Sequence, residues 1–557
     1  MSSASKKQRA RVATHRPATR RRRFRHDDPV AVDLFSGFGG LTKGIEIAGF
    51  TTIMAANHNA YKVEVHEANH PDAEHWIADL VDPDAADYHS ARDLPKANLL
   101  VAGVSCVNHS QANTVKAYEQ GMTLFELEDP DFEERVTKSE RDRATANCVL
   151  HYAAQHHPEM ILVECTTGLQ SWGPALPDHP KIGDGSTYRW WLKRFDLIDY
   201  NVKVLFLNSQ FFGVPQSRDR GYWVFVKKHL PMPDLEHRPV SRCHHCDKDV
   251  EAVWTWRTGV PLSGKVSYGE QYEYRCPSCR GTVVPPMTPS LAALDLTDLG
   301  TRIGDRPLKT FKDKKTGAVT QSWFAPSTMA RAERCRRKFA DFPAILMPAK
   351  GVHGSERLLL QPMATQTSQQ EAAVLSTGPV IEPLWAEAAT ALAVDNFQGA
   401  ARGAGEPLPT QVGSETLAVV SSGVLPYRKN TVPTMHAEAM PTFTSDQIPG
   451  LLSAAGMVGS DMARAHLSSL WRSTLSELPL EDCFYRMMRA YEIGRGCGFD
   501  VTFPGYEGTF NVWGTDRNQV DGFGNAVSPQ VGAWIGRRLR AVLHSPQDRG
   551  PELVAAA

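Results

Sequence analysis

Residues 30–40 read Val-Ala-Val-Asp-Leu-Phe-Ser-Gly-Phe-Gly-Gly. The apolar start of this stretch predicts a buried parallel strand, and the glycine-rich turn after it opens into a helical pattern over residues 41–48. Glycine lets a ligand approach the backbone closely, and N–H groups at a helix N-terminus bind polar parts of that ligand. The spacing differs from the Gly-x-Gly-x-x-Gly dinucleotide fingerprint. The stretch therefore predicts a nucleotide-like cofactor site in an α/β sheet.

The composition is that of a water-soluble globular protein. The chain has 557 residues, of which 42% are hydrophobic and 22% charged, and its formal net charge is −1. This length predicts two or three domains, and the near-neutral charge gives no overall field that would attract a polyanion. Because no run of eighteen apolar residues occurs, we expect no membrane contact.

Both ends of the chain are expected to be tails. Residues 1–26 contain ten Lys or Arg and no Asp or Glu, and we predict that residues 1–28 form a basic disordered tail. Two uses of this tail remain open: a solvated segment, or an arm that binds nucleic-acid phosphates. Residues 546–557 are expected to form the second tail.

The first part of the chain alternates apolar runs with helical patterns. Strands are predicted over residues 30–34, 52–56, 99–101, 160–163, 200–207 and 222–226. This alternation is typical of an α/β fold with a doubly wound, mostly parallel sheet. In such sheets, ligands bind at the carboxyl ends of the strands. Polar or reactive residues follow four of the predicted strands: Asp33, Asn57, Cys106 and Glu164.

Reactive side chains recur in a fixed order along the chain. Cys106 lies in a polar loop, where a cysteine is either a nucleophile or an inert buried thiol. Glu164 ends a strand. Arg218 and Arg220, two residues apart on an extended segment, point to the same face and suit an anion or a carbonyl group. The run Gly-Phe-Gly-Asn-Ala-Val-Ser-Pro at residues 522–529 opens the last helix, predicted over residues 527–543.

This order of motifs resembles the DNA cytosine-5 methyltransferase family, over about residues 30–230 and 480–542. The resemblance implies a Rossmann-like sheet that binds S-adenosylmethionine, with a target-recognition domain inserted before the last motifs. It implies a catalytic domain formed by residues 29–232 and 479–545, and an inserted domain over residues 233–478. The middle of the chain also resembles a zinc-bearing subgroup from phages of actinobacteria.

The resemblance also implies individual roles. Cys106 would attack carbon 6 of a flipped cytosine, Glu164 would bind its ring nitrogen 3 and its amine, and Arg218, with Arg220 nearby, would hold its carbonyl oxygen. Asp79 would bind the adenine amine of the cofactor, and Asn57 would face the ribose. The residues expected at the cofactor are Asp33, Phe35, Ser36, Gly37, Phe38, Gly39, Gly40, Asn57, His58, Asp79, Leu80, Asn525, Ala526 and Val527.

Two motifs depart from the family pattern. Ser105 precedes the cysteine where the family has Pro, and Cys165-Thr166 follow Glu164 where the family has Asn-Val. Three consequences remain open: ordinary methyl transfer, weakened activity, or transfer of a larger group such as carboxymethyl from a carboxylated S-adenosylmethionine. The residues expected near the transferred group are Ser105, Asn108, His109, Ser110, Cys165 and Thr166.

Four cysteines predict a metal site. Cys243 and Cys246 form one Cys-x-x-Cys unit and Cys276 and Cys279 form another, with 29 residues between them. This spacing is typical of a structural Zn²⁺ ribbon, here over residues 240–285. Disulfides or free thiols are the alternative. His244 and His245 are expected to face solvent.

The sequence thus favours a cytosine carbon-5 methyltransferase that acts on double-stranded DNA as a cytoplasmic monomer in a bacterium or a phage-infected host. A DNA-binding homologue without catalysis and an RNA-modifying enzyme are the competing classes. A degenerate repeat at residues 362–368, 407–414 and 439–445 is expected to form recurring strand-and-turn units.

Overall fold

The computed structural model describes residues 13–20, 28–104, 138–176, 179–259, 264–295, 297–313, 317–339, 344–349, 356–359, 361–377, 392–395, 402–403, 417–420, 423–425, 434–435, 450–452, 475 and 478–543. The predicted site residues Ser105, Cys106, Asn108, His109 and Ser110 lie outside these residues, as do the second and third copies of the degenerate repeat and the 546–557 tail.

A mixed eight-stranded sheet lies at the centre of the described chain, in the strand order β1-β4-β3-β2-β5-β6-β10-β9. The inner strands β4, β3, β2, β5 and β6 are parallel, whereas β1 and β10 run antiparallel to their neighbours. The strands up to residue 227 are β1 (Thr14–Arg16), β2 (Val30–Leu34), β3 (Thr51–Asn57), β4 (Glu74–Ile77), β5 (Leu99–Gly103), β6 (Met160–Cys165), β7 (Ala175–Leu176), β8 (His179–Gly183), β9 (Tyr200–Asn208) and β10 (Asp219–Lys227). Strands β7 and β8 form a separate hairpin.

Helices cover both faces of this sheet. Neighbouring residues of β2 face opposite sides of the sheet. Val32 belongs to the same core as Trp191, whereas Ala31 belongs to the same core as Ile535. Among the described residues, no helix is long and apolar enough to cross a bilayer. The helices are α1 (Gly40–Ile47), α2 (Ala60–Asn69), α3 (Lys138–His156), α4 (Ser186–Leu197), α5 (Pro326–Lys338), α6 (Ala490–Gly496), α7 (Asp516–Asn525) and α8 (Pro529–Leu543).

The predicted strands all exist, and β2 has the predicted bounds. The sequence analysis does not predict the edge strand β1 or its neighbour β4. The expectation of a disordered tail over residues 1–28 is wrong for Thr14–Arg16, which pair with β4. Arg16 also lies 2.6 Å from the Glu67 carboxylate of α2. Backbone pairing and this ion pair place a short basic segment against the sheet, and composition alone contains neither constraint.

The C-terminal segment returns to pack on the first helix. A Cβ atom at Gly44 of α1 would lie 2.6 Å from the Pro529 carbonyl oxygen, and one at Gly40 would lie 2.0 Å from the Val527 oxygen. Only glycine permits this approach of α8 to α1. The arrangement joins residues at the two ends of the described chain in one body.

The inserted part begins with a small two-sheet unit. Strands β11 (Val240–Cys243) and β12 (Lys248–Glu251) form one hairpin, and β13 (Val253–Trp256), β14 (Tyr272–Arg275) and β15 (Thr282–Val283) form a three-stranded sheet. We call residues 240–285 the cysteine ribbon. Its core includes Phe211, which precedes β10, so the ribbon packs on the central domain.

A second sheet follows, in the order β16-β28-β21-β19-β20. Strand β28 (Phe484–Met487) lies beyond residue 478, the expected end of the inserted domain. It nevertheless pairs with β16 (Thr301–Arg302) and β21 (Ala372–Ser376) of the inserted part. The remaining short strands form a β17-β18 hairpin and two three-stranded sheets. Their bounds are β16 (Thr301–Arg302), β17 (Lys309–Lys312), β18 (Val319–Ser322), β19 (Ala344–Pro348), β20 (Arg357–Leu358), β21 (Ala372–Ser376), β22 (Leu392–Asp395), β23 (Arg402–Gly403), β24 (Leu417–Val420), β25 (Gly423–Leu425), β26 (Thr434–Met435), β27 (Gly450–Leu452) and β28 (Phe484–Met487).

Candidate active site and four-cysteine centre

The carboxyl ends of the parallel strands meet at one edge of the central sheet. Gly103 at the end of β5 pairs with Glu164 of β6, and the Val104 N–H donates to the Glu164 carbonyl oxygen at 3.1 Å. The end of β5, three residues before Cys106 in the sequence, therefore lies directly beside Glu164. Cys106 itself lies outside the described residues.

Strand β10 brings an arginine to the same edge. It is antiparallel to β6, and Tyr222 pairs with Glu164, so the N-terminal end of β10 lies beside the C-terminal end of β6. Arg220 Nε lies 3.0 Å from Glu164 Oε1, and the two side chains are 12% and 7% exposed. The orientation does not meet hydrogen-bond geometry, so the contact is an ion pair, strengthened by its low exposure to water.

Arg218 lies elsewhere, although it was grouped with Arg220 in the sequence. It is buried, and its Nη1 donates to the Gln366 carbonyl oxygen at 3.2 Å and to the Gly524 carbonyl oxygen at 2.8 Å. Arg218 therefore joins β10 to the inserted part and to α7. These contacts favour Arg220 over Arg218 as the arginine that faces a substrate beside Glu164.

The first copy of the degenerate repeat packs on this arginine segment. Ser217 N–H donates to the Met363 carbonyl oxygen at 2.9 Å, and the Thr365 hydroxyl donates to the Ser217 carbonyl oxygen at 2.8 Å. The repeat was predicted as strand-and-turn structure without any site. The sequence does not indicate its position beside Ser217 and Arg218, because no residue type in it carries obvious chemistry.

The glycine turn after β2 has room for a ligand. Phe35 and Gly37 have φ angles of 60° and 54°, and an added Cβ at Gly37 would lie no closer than 3.9 Å to its nearest neighbour, the Phe35 oxygen. Among the described residues, the buried atoms Asp33 Oδ1 and Ser36 Oγ have no hydrogen-bond partner. Buried polar atoms normally have partners, so these two fit polar groups of a cofactor.

The other residues of the turn have packing roles. Phe38 is fully buried, with its ring centroid 5.2 Å from that of Phe523 and 5.8 Å from that of Tyr61. An added Cβ at Gly39 would meet the His70 ring at 2.6 Å, and Gly40 packs on Val527. These contacts place Phe38, Gly39 and Gly40 in the core beneath the turn.

The residues predicted after β3 and β4 shape the neighbouring loops. Asn57 is buried, and its Oδ1 accepts the Asn59 N–H at 2.9 Å. Asp79 is also buried, and its Oδ1 accepts the N–H groups of Val81 and Asp82. His58 is exposed. Leu80, the remaining predicted residue here, packs in the core of the sheet.

The residues of the C-terminal motif also differ in their exposure to solvent. Asn525 is exposed, and its Nδ2 donates back to the carbonyl oxygen of Asp521 at 2.9 Å and to its carboxylate at 3.0 Å. Ala526 and Val527 are buried in two different cores. Asn525 is thus the member of the motif with a polar side chain at the surface.

The two residues that depart from the family pattern after Glu164 differ in burial. Cys165 is fully buried in the core with Val163 and Leu169, which is inconsistent with its predicted position at a transferred group. Alternation along the strand explains this, since neighbouring residues face opposite ways. Thr166 is half-buried just beyond the strand and makes no side-chain cap to the turn after it.

A buried polar chain, missed in the sequence, extends from Asp33. Asp33 Oδ2 accepts the Thr42 hydroxyl at 2.5 Å, Thr42 Oγ1 lies 3.1 Å from His66 Nε2, and His66 Nδ1 lies 2.8 Å from His75 Nε2. Burial raises the pKa of Asp33 to about 7, and burial lowers the pKa of His75 to about 4. These residues are scattered in sequence, so no local pattern indicates them.

The four cysteines converge as predicted. Their sulfur atoms all lie within 4.8 Å of one another, with Cys243 Sγ 3.5 Å from Cys279 Sγ and Cys246 Sγ 3.8 Å from Cys276 Sγ. Tetrahedral Zn–S bonds of about 2.3 Å place sulfur atoms about 3.8 Å apart, so the cluster fits a zinc ion. His244 and His245 are exposed, as expected.

Comparisons with known proteins find similarities over the central domain. The sequence profile of the C-5 cytosine-specific DNA methylase family matches residues 30–128 and 147–257. The type II methyltransferase M.NgoBI of Neisseria gonorrhoeae is 26% identical over 226 residues, which are 40% of this chain and 59% of that protein. M.FnuDI of Fusobacterium nucleatum is 26% identical over 207 residues, which are 37% of this chain and 49% of that protein.

The match with these relatives is partial, since the chain spans about half of their length. Among solved structures, the S. pombe Dnmt2 methyltransferase aligns over 92% of this chain and 98% of its own, with 11% identity and a TM-score of 0.39. The family and the relatives are methyltransferases, a class of transferase.

Replacing Asp33 with Asn is expected to change how stability depends on pH. In the folded protein, burial raises the pKa of Asp33 from the ordinary 3.8 to about 7. The folded state therefore holds an extra proton between about pH 4 and 7, and native stability falls as pH rises through that window. The free energy of unfolding of Asp33→Asn should therefore rise relative to that of the native protein as pH rises through this window. The difference should reach on the order of 4 kcal/mol and stay constant above the window.

Urea denaturation at several pH values measures this difference. Asp72→Asn, on an exposed turn, is the matched control and should leave the native profile unchanged. Parallel stability profiles for native protein and Asp33→Asn would contradict the assigned burial of the carboxyl group.

Proposed function

We propose that this relative of the C-5 cytosine-specific DNA methylases transfers a methyl group to carbon 5 of cytosine in double-stranded DNA. The observation that carries the proposal is the Glu164–Arg220 ion pair of 3.0 Å. It lies at the carboxyl end of β6, beside the strand end that leads to Cys106. This site has a carboxylate and a guanidinium at a fixed distance, beside the end of β5 that leads to Cys106. A flipped base needs this combination of polar partner and nucleophile.

In the proposed reaction, Cys106 acts as its thiolate. Its sulfur forms a bond to carbon 6 of the cytosine, and the electron pair of the carbon 5–carbon 6 double bond makes carbon 5 nucleophilic. After transfer, carbon 5 loses its proton to a base, the double bond forms again and the thiolate leaves. Covalent addition thus divides one difficult step into easier ones.

Glu164 and Arg220 hold the base during these steps. The Glu164 carboxyl group hydrogen-bonds ring nitrogen 3 and the exocyclic amine, which stabilises the charge that develops on the ring. Arg220 fixes the carboxyl group and can reach the carbonyl oxygen of the base. Arg218 stabilises the segment that leads into Arg220, because its guanidinium donates to the carbonyl oxygens of Gln366 and Gly524.

The donor we propose is S-adenosylmethionine, which when bound would supply an electrophilic methyl group to carbon 5, with the methyl carbon–sulfur bond breaking and a neutral thioether as the leaving group. The half-buried Phe35 ring, the open position at Gly37 and the buried Ser36 Oγ and Asp33 Oδ1 are the described features that fit it. Asn57 and Asp79 shape the adjoining loops and Asn525 lies at the surface of the C-terminal motif. These residues would bind and orient the donor while the surrounding core excludes water.

We further propose that the cysteine ribbon binds one structural Zn²⁺ through Cys243, Cys246, Cys276 and Cys279. The four sulfur atoms fit its tetrahedral geometry. A reducing compartment keeps such thiols available, so we propose a cytoplasmic location. We also propose that the protein is a monomer and that duplex DNA is its partner.

Mass spectrometry of nucleosides tests the proposed reaction. DNA from cells that express the native protein should contain 5-methylcytosine, and DNA from cells that express Cys106→Ala should not. Glu164→Gln should reduce the yield at least about tenfold, because the carboxyl group is lost while the shape is kept. Cys335→Ala, a buried cysteine of α5 in a core of the inserted part, is the matched control and should retain the product.

The masses also distinguish the alternatives. A cytosine heavier by a carboxymethyl group would replace the methyl proposal with the larger transferred group. Unmodified cytosine from folded native protein, or equal product from Cys106→Ala, would contradict the proposed reaction.

Metal analysis tests the ribbon. Native protein should contain about one zinc per chain. Cys276→Ser should lose most of it and melt at a lower temperature, because the folded ribbon depends on the ion. His245→Ala, next to the ligands but exposed, should keep it. Zinc-free native protein that melts at the same temperature with added zinc would contradict the assignment.

A further inference from the structure

The cysteine ribbon is hydrogen-bonded to the residues that follow Glu164. Val266 N–H donates to the Thr167 hydroxyl oxygen at 3.0 Å, and Gly264 N–H donates to the Ser171 hydroxyl oxygen at 2.6 Å. In the opposite direction, Gln170 Nε2 donates to the Gly264 carbonyl oxygen at 2.8 Å. The turn that ends β6 is thus held by the ribbon, and Glu164 lies three residues before Thr167.

The same ribbon holds the residue between the two arginines. Asp219 Oδ1 accepts the Tyr268 N–H at 3.1 Å and the Tyr272 hydroxyl at 3.2 Å. Alternation along β10 directs Asp219 away from the face of Arg220. The Asp219 carbonyl oxygen also accepts Arg220 Nη1 at 2.8 Å. One residue therefore contacts both the ribbon and the arginine that pairs with Glu164.

Apolar packing makes this contact rigid. Phe211, just before β10, lies in the ribbon core, with its ring centroid 4.7 Å from that of Tyr268 and 5.2 Å from that of Tyr274. Tyr272 and Tyr274 are fully buried. Trp254 Nε1 donates to the Phe206 carbonyl oxygen of β9 at 3.1 Å. The hydroxyl group that reaches Asp219 is consequently fixed by a packed core.

We propose that Asp219 is a positioning residue through which the cysteine ribbon fixes the Glu164–Arg220 pair. The inference rests on the proposed function for its catalytic consequence, since it assigns the ribbon a role in the transfer step. The required property of Asp219 is an acceptor oxygen between two ribbon donors. Burial raises the pKa of Asp219.

Three variants separate this role from others. Asp219→Ala removes the acceptor, Asp219→Asn keeps an acceptor oxygen of the same shape, and Tyr272→Phe removes one donor while it keeps the buried ring. Tyr268→Phe is the matched control, because Tyr268 binds Asp219 through its backbone N–H and keeps that bond. All four are assayed as zinc-loaded full-length protein.

Methyl transfer to duplex DNA is the first measurement. Asp219→Ala should lower kcat by about 10- to 100-fold with little change in KM for DNA, because a displacement near 1 Å at a reacting group costs about this much. Tyr272→Phe should lower kcat less, and Asp219→Asn and Tyr268→Phe should stay close to native. An unchanged kcat in both Asp219→Ala and Tyr272→Phe, or an equal loss in Asp219→Asn and Asp219→Ala, would overturn the proposal.

Hydrogen exchange gives a measurement that does not depend on activity. Tyr272→Phe should exchange faster than native in peptides that cover residues 164–171 and 215–221, with unchanged exchange in residues 240–251. This result would support the positioning role even if the native protein transferred no methyl group, so the two proposals fail separately. Unchanged exchange at residues 164–171 and 215–221 would overturn the positioning role.

Discussion

The ion pair between Glu164 and Arg220 depends on one constraint, which is the antiparallel entry of β10 beside β6. Because β10 runs in the opposite direction, its first residues lie at the carboxyl end of β6. The two charged groups meet there at 3.0 Å with little exposure to water. A parallel strand in this position would place its first residues at the far edge of the sheet. The segment before β10 also contacts α7 near this edge, through Arg218 and the Gly524 carbonyl oxygen.

The inserted part of the chain belongs to this arrangement more closely than its place in the sequence indicates. The cysteine ribbon shares a core with the segment before β10. Residues 362–368 lie on the backbone of Ser217, and the Arg218 guanidinium joins Gln366 to Gly524. A segment expected to read the target thus also supports the site that would modify it.

The sequence predicts the parts of the fold that are buried on both faces. The run Val30–Leu34 is apolar at nearly every position because helices cover both faces of the sheet there. Such runs can be recognised as strands in the sequence. The edge strand Thr14–Arg16 and its neighbour Glu74–Ile77 have polar residues and no such pattern. The four cysteines are also legible, since their spacing reflects the geometry of the expected metal.

Other features depend on tertiary contacts that have no local pattern. A period of two residues directs Arg218 and Arg220 to the same face, and only the positions of Gln366 and Glu164 distinguish them. Cys165 follows Glu164 in the sequence but faces the core. The chain from Asp33 through Thr42 to His66 crosses two helices. Each of these assignments required the register of the strands.

The most direct test of this account is covalent trapping on DNA. A random-sequence duplex that contains 5-fluorocytosine in place of cytosine is incubated with the zinc-loaded protein and S-adenosylmethionine. Fluorine cannot leave carbon 5 as a proton does, so the adduct should persist. The account predicts a denaturation-resistant complex with the mass of protein, DNA strand and one methyl group, joined at Cys106. Duplex binding without any such complex would contradict it.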